Sequence, residues 1–114
     1  MPIARLADFV HAGQDISART GIEITLSGHG GDGNLHPSLF FDDEPGSWQR
    51  AEAALDEVLR AALDLGGTIT GEHGVGTQKR RHLVWELGAA EIARQRAVKA
   101  VFDPAGIMNP GKVY

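Results

Sequence analysis

Apolar and polar residues follow two different rhythms along this chain, and the switches between them mark its elements. Ile3, Leu6, Phe9, Val10 and Ile16 recur at helical spacing, behind Pro2, which suits a first helical turn, and ahead of Gly21, a fitting stop. This spacing predicts a helix over 2–20. The period then drops to two. Ile22, Ile24 and Leu26 alternate with Glu23, Thr25 and Ser27, the pattern of a half-buried strand. The glycine-rich stretch GHGGDGN, residues 28–34, interrupts it, and 35–41 predict a second strand in which Pro37 marks an edge or irregular position. Residues 42–46 read as a turn. Ser47 can then cap a long helix carrying Ala51, Ala54, Leu55, Val58, Leu59, Ala62 and Leu65, ended by Gly66 and Gly67. Residues 68–70 form a third extended piece running into GEHGVG, 71–76. Two short helices, 80–87 and 89–102, meet at Gly88, and Asp103-Pro104 closes the second. The last segment, IMNPGKVY, has turn chemistry and no period. Two adjacent strands with a short connection predict an antiparallel sheet with helices packed on one face, an α+β layout.

Strand parity decides where chemistry can gather, because neighbouring side chains point to opposite faces. Ile22, Ile24 and Leu26 share one face; Glu23, Thr25, Ser27 and, if the strand continues, His29 share the other. On the second strand His36, Ser38 and Phe40 lie together, opposite Leu35, Leu39 and Phe41. In the third piece Glu72 falls in phase with Thr68 and Thr70. The helices take the apolar faces, so the remaining face collects His29, His36 and Glu72. Two imidazoles and a carboxylate make a ligand set for zinc, manganese or iron(II), with positions left open for catalysis. The plain alternative is a pair of surface histidines in a glycine-rich hairpin. GHGGDG also fits the dinucleotide fingerprint G-x-G-x-x-G formally, but that motif must open a helix, and here a strand pattern containing Pro37 follows. A calcium loop is excluded because the late carboxylate ligand is missing.

Composition narrows the picture further. The 114 residues suit one domain, and a net charge of -4 argues against nucleic acid as a partner. There is no cysteine, so any metal must be held by nitrogen and oxygen. No apolar run is long enough to span a bilayer. The expectation is a cytoplasmic protein, or one held peripherally at a membrane within a complex.

Three ordered motifs, SGHGGDGNLHPSLFFD, GGTITGEHGVGTQKR and FDPAGIMNPGKVY, resemble the C-terminal region of FAD-linked oxidases, the family of glycolate oxidase FAD subunits, D-lactate dehydrogenases and D-2-hydroxyglutarate dehydrogenases. The resemblance runs over essentially the whole chain. It implies a ferredoxin-like cap fragment and an FAD-dependent oxidoreductase acting on 2-hydroxy acids. It also implies that His29, His36 and Glu72 hold a divalent metal that grips the substrate, that His73 is the catalytic base and contacts substrate, and that Asn34 lines the substrate site while Asn109 touches the flavin. Ser38 stands where the D-2-hydroxyglutarate branch has asparagine, which weighs against that substrate. Most flavin contacts in this family come from an N-terminal domain, which is not part of this sequence, so the isolated chain is expected to be inactive. The surface that such a domain would cover is expected to be unusually apolar, with self-association as a consequence. A non-catalytic metal- or partner-binding module that retains the fold is the alternative. His11 and His82 read as surface or packing residues, Trp48 and Trp85 as packing residues, Phe40 as a core or interface residue, and Lys79, Arg80 and Arg81 as a solvated basic run.

Overall fold

Small residues set the spacing of the first two helices. In the computed structural model, which describes residues 1–114, α1 (Leu6–Thr20) buries Phe9, Gly13 and Ile16 on one side, four and three residues apart. It is entered through a tight 3-10 turn, Ile3–Arg5, rather than by continuous helix from residue 2. Gly21 ends it in the left-handed conformation at φ 70°, donating its N–H to the Ser17 carbonyl, as the glycine at that position predicts. Helix α2 (Ser47–Asp64) buries Ala51, Ala54, Val58 and Ala62 against the same core. Alanines at three of those four positions let α1 and α2 approach closely, and Ala54 is wholly buried. Each large apolar side chain sealed there, such as Phe9, Ile16 or Ile22, contributes about 1.5–3 kcal/mol.

The sheet has two strands, β1 (Glu23–His29) and β2 (Asn34–Phe40), paired antiparallel. Their register sets Ile24 opposite Leu39, Leu26 opposite Pro37, Ser27 opposite His36 and His29 opposite Asn34. Ile24, Leu26, Leu35 and Leu39 pack against the helical core, so the helices cover one face, as the alternation predicts. Gly13 of α1 leaves room for Leu26, whose Cδ1 would lie 3.3 Å from an added Cβ. Pro37 is tolerated because both strands are edge strands.

Two further expectations change. Residues 68–70 do not join the sheet; the buried side chain of Ile69 anchors that segment instead. Ser47 is not the helix cap. It is the first residue of α2, buried, donating its hydroxyl hydrogen to Asp42 and accepting from Arg50 at 2.7 Å, while left-handed Gly46 precedes it. The Ser47 hydroxyl and the Glu44 N–H hold the Asp42 carboxyl below the usual carboxylate range.

The chain divides into two compact units, residues 1–72 and 73–114. The second holds a 3-10 turn, Arg80–His82, then α3 (Leu83–Glu86) and α4 (Ala89–Phe102). His82 is fully buried, edge-on to Trp85 at 4.5 Å between ring centres, and accepts a hydrogen bond from Arg81. Asp103 closes α4. Its carboxylate takes the Lys99 ammonium and the N–H groups of Ile107 (2.9 Å) and Met108 (3.1 Å), which turns the tail back on itself. The tail then returns to residue 76, where the Val113 N–H meets the Gly76 carbonyl at 2.8 Å.

Lys99, and then the two backbone N–H groups, hold the Asp103 carboxyl below its ordinary value. A depressed carboxyl pKa contributes stability that is present above the unfolded value and lost as pH falls through the folded one. Thermal melts should therefore show wild type above Asp103→Asn at about pH 7 and the gap closing below about pH 4, where the carboxylate protonates. A gap that persists unchanged in acid would contradict this role for Asp103.

Candidate metal centre

The hairpin connection is built by glycines at the positions where side chains cannot fit. Gly28 sits at φ 141°, and a Cβ there would lie 2.3 Å from the Asn34 carbonyl oxygen across the pair. Gly33 turns the chain at φ 77°. Between them the Asp32 N–H donates to the His29 carbonyl at 3.1 Å, and the Asp32 carboxylate accepts the Asn34 N–H at 3.1 Å. This local chemistry is that of an Asx turn. It lets β1 continue through His29, two residues past the alternating run, and so puts His29 in phase with Ser27.

The consequence is a pair of imidazoles on the open face. His29 lies opposite Asn34, and His36 opposite Ser27, one step further along. Their rings meet edge to face with centres 5.5 Å apart. Glu72 comes in from the segment beyond Ile69. Its Oε1 is 3.3 Å from His29 Nε2 and 3.2 Å from His36 Nε2. One ligand atom from each of the three lies within 4.8 Å of the others. Ligand atoms bound at about 2.0–2.2 Å around one tetrahedral or octahedral ion sit roughly 3.0–3.5 Å apart. The two nitrogen-to-oxygen distances fall inside that range, so the donor set fits a divalent ion. The His36 side chain is 23% exposed, against 60% for His29 and 52% for Glu72, so one side of the cluster faces solvent. That leaves coordination positions for water or a small ligand.

Asn34 and Gly71 meet beside this cluster. Asn34 shares the face of His29 and His36, and a Cβ on Gly71 would lie 2.2 Å from the Asn34 Oδ1. The missing side chain at 71 is what admits the Asn34 carboxamide next to the backbone that carries Glu72. His73 follows Glu72 in the chain, is exposed, and begins the second unit. It is not among the clustered ligands.

Asn109 lies in the tail of the second unit, at φ 47°, on an open hollow of about 630 Å³ that Phe102, Met108, Lys112 and Tyr114 also line. Apolar spacing does not reveal this hollow, because the tail has no period. Two positive-φ residues, Asn109 and Val113 at φ 63°, shape it. Turn chemistry in NPGK was the one available signal. Of the basic run, Arg80 and Arg81 are exposed, as expected, and Arg81 donates to His82; Lys79 alone is half-buried, with its pKa lowered by burial.

The family model for the C-terminal domain of FAD linked oxidases matches residues 1–113. The chain belongs to this family. Among curated relatives it is 44% identical to the glycolate oxidase subunit GlcD of Bacillus subtilis, covering all of this chain and 24% of that protein. It is 46% identical to GlcD of Escherichia coli K12 over 85% of this chain and 20% of that protein. The D-lactate dehydrogenase (cytochrome), mitochondrial, of Kluyveromyces lactis matches all of this chain at 37% identity over 19% of its own length. The chain thus spans about a fifth to a quarter of the relatives it matches, the portion this family model describes as the C-terminal domain of FAD linked oxidases.

If the contact between Gly71 and Asn34 sets the Glu72 position, Gly71→Ala should weaken divalent-metal binding by about 10–100-fold, the usual cost of disturbing groups that orient ligands. Calorimetric titration with Zn²⁺ or Mn²⁺ measures this, and circular dichroism should show the fold retained. An unchanged affinity would mean that Glu72 is positioned by other contacts.

Proposed function

We propose that this chain is the metal- and substrate-binding part of an FAD-dependent 2-hydroxy-acid dehydrogenase of the glycolate or D-lactate type. The observation that carries the proposal is the convergence of His29, His36 and Glu72 on one open face, in a member of the FAD linked oxidase family. These three residues would hold a divalent ion, with zinc, manganese and iron(II) all suited to the donor set. When bound, such an ion supplies a Lewis acid that lowers the pKa of a coordinated alcohol, and FAD supplies a two-electron acceptor.

The residues of this chain divide the remaining work. His73 takes the proton of the substrate hydroxyl on an imidazole nitrogen, a group suited to proton transfer near neutral pH. FAD, when bound, would accept the α-carbon hydrogen as hydride, leaving the 2-oxo acid as product. Asn34 orients the substrate from the hairpin side, and Asn109 contacts the flavin from the tail. The flavin is held mainly by a region outside this chain, since the relatives named for glycolate and D-lactate chemistry are four to five times as long as the segment matched.

Two measurements test the reading. The purified chain should bind about one divalent ion, and His36→Ala should lose most of that affinity; a chain that takes up no metal even after loading sinks the metal half of the proposal. The chain can also replace the matching segment of the Bacillus subtilis GlcD subunit. That chimera should reduce a dye with glycolate or D-lactate as donor, and His73→Gln should lower its kcat by about 10²–10⁴-fold. Metal uptake without any hydroxy-acid oxidation would favour a binding module that keeps the fold.

A further inference from the structure

Helix α4 carries an apolar stripe on the wrong side for its own unit. Of its fourteen residues it buries one, Ile92. Val98, Val101 and Phe102 follow at spacings of three and four, and so share one side of the helix, turned well away from Ile92. They are 59%, 75% and 75% exposed. The tail extends the stripe with Ile107, 77% exposed, and Met108, 50% exposed. Phe102 and Met108 also border the hollow of about 630 Å³, so stripe and hollow form one surface. α1 and α2 put their apolar stripes into a core; α4 leaves its stripe in water. Single exposed apolar residues need no explanation, but a contiguous set of five large ones marks a contact surface.

Charge narrows what can cover it. Residues 73–114 carry seven Lys and Arg against three Asp and Glu, whereas the chain as a whole has net charge -4. Exposed Arg94, paired with Glu91 at 2.8 Å, sits one turn before Val98 on the same side of α4, and exposed Lys112 stands at the hollow. A second copy of this chain meeting the same face would set cation against cation. A region that holds FAD brings the negative diphosphate of that cofactor with it. The relatives contain three to four times more polypeptide than the segment matched here.

We infer that Val98, Val101, Phe102, Ile107 and Met108 form the docking face for the flavin-holding region of the oxidase. This rests on the function proposed above, and adds where on this chain that region seats. Apolar burial supplies the contact, and the basic rim selects an anionic partner.

The chimera with the Bacillus subtilis GlcD subunit tests this through stability and flavin retention rather than turnover. Val101→Glu and Phe102→Glu place charges in the stripe. Because both side chains are solvent-exposed in the chain alone, the melting temperature of the isolated 114-residue chain should not move. In the chimera each should speed flavin loss and protease cleavage at the graft junction by about tenfold or more. Val84→Glu, at an exposed valine on α3 that is not one of these five residues, should leave both rates unchanged. If the stripe variants match the parent chimera in flavin loss and cleavage, the docking face is refuted, while the proposed function stands on metal uptake and oxidation. If their only effect is to abolish self-association of the isolated chain, or its binding to phosphatidylglycerol vesicles, the occupant is a second copy or a membrane and the inference falls. A parent chimera that binds no FAD and oxidises no hydroxy acid overturns the functional reading and this inference together.

Discussion

The period of two in a single hairpin governs this structure. β1 and β2 have one face against α1 and α2 and one face open, and every residue on them is assigned by parity. Ile24, Leu26, Leu35 and Leu39 must be inward for the core to close. Ser27, His29, Asn34 and His36 are therefore outward, with no further choice. A slip of one residue would bury both imidazoles and expose the four apolar side chains. The core and the candidate metal centre are thus two sides of one constraint. The histidine half of the site is specified by what specifies the fold, and the glycine-rich connection serves both. Gly28 permits the close backbone approach that keeps the register up to His29 and Asn34.

That coupling explains which features were legible in the sequence. Alternation marks the strands and their faces, so the pairing of His29 and His36 could be anticipated from residue order; Glu72 reaches them although the parity argument for it fails, because residues 68–70 lie outside the ladder. The two main helices and the left-handed stop at Gly21 followed from apolar spacing and glycine chemistry. What escaped was whatever depends on contacts far apart in the chain. Residues 68–70 have the composition of a strand, yet side-chain burial of Ile69 holds them without a place in the ladder. Ser47 has the chemistry of a cap, but a carboxylate five residues earlier captured its hydroxyl. The tail hollow depends on left-handed backbone at Asn109 and Val113, which is unexpected for a β-branched residue such as Val113.

The second unit is organised by a different device. It has few buried apolar residues, and the turn that follows α4 is fixed by one carboxylate that satisfies a lysine and two backbone N–H groups. Charge-assisted hydrogen bonds of this kind are stronger than neutral ones and need little core volume. They allow α4 to hold its shape while burying only Ile92, which leaves its apolar residues available at the surface. A unit stabilised from its polar side can present an apolar side outward without losing its own fold.

The origin of the third ligand gives the site a further property. His29 and His36 come from adjacent strands, whereas Glu72 arrives only after the whole of α2 has crossed the core. An ion held by all three would tie the hairpin to the far end of that crossing, closing a loop that contains a complete helix. Such a closure restricts the unfolded chain more than the folded one. Metal affinity and stability of residues 1–72 would then be two expressions of the same free energy, since any ligand that binds only the folded form raises its stability. The exposed side of the cluster limits that gain, because water competes for the ion there. It is also the side from which a small oxygen ligand can enter. The 23% exposure of His36 against 60% for His29 orients that opening away from the hairpin core. If an ion is held there, the half-open geometry would give up some affinity and leave a coordination position that a small oxygen ligand could occupy.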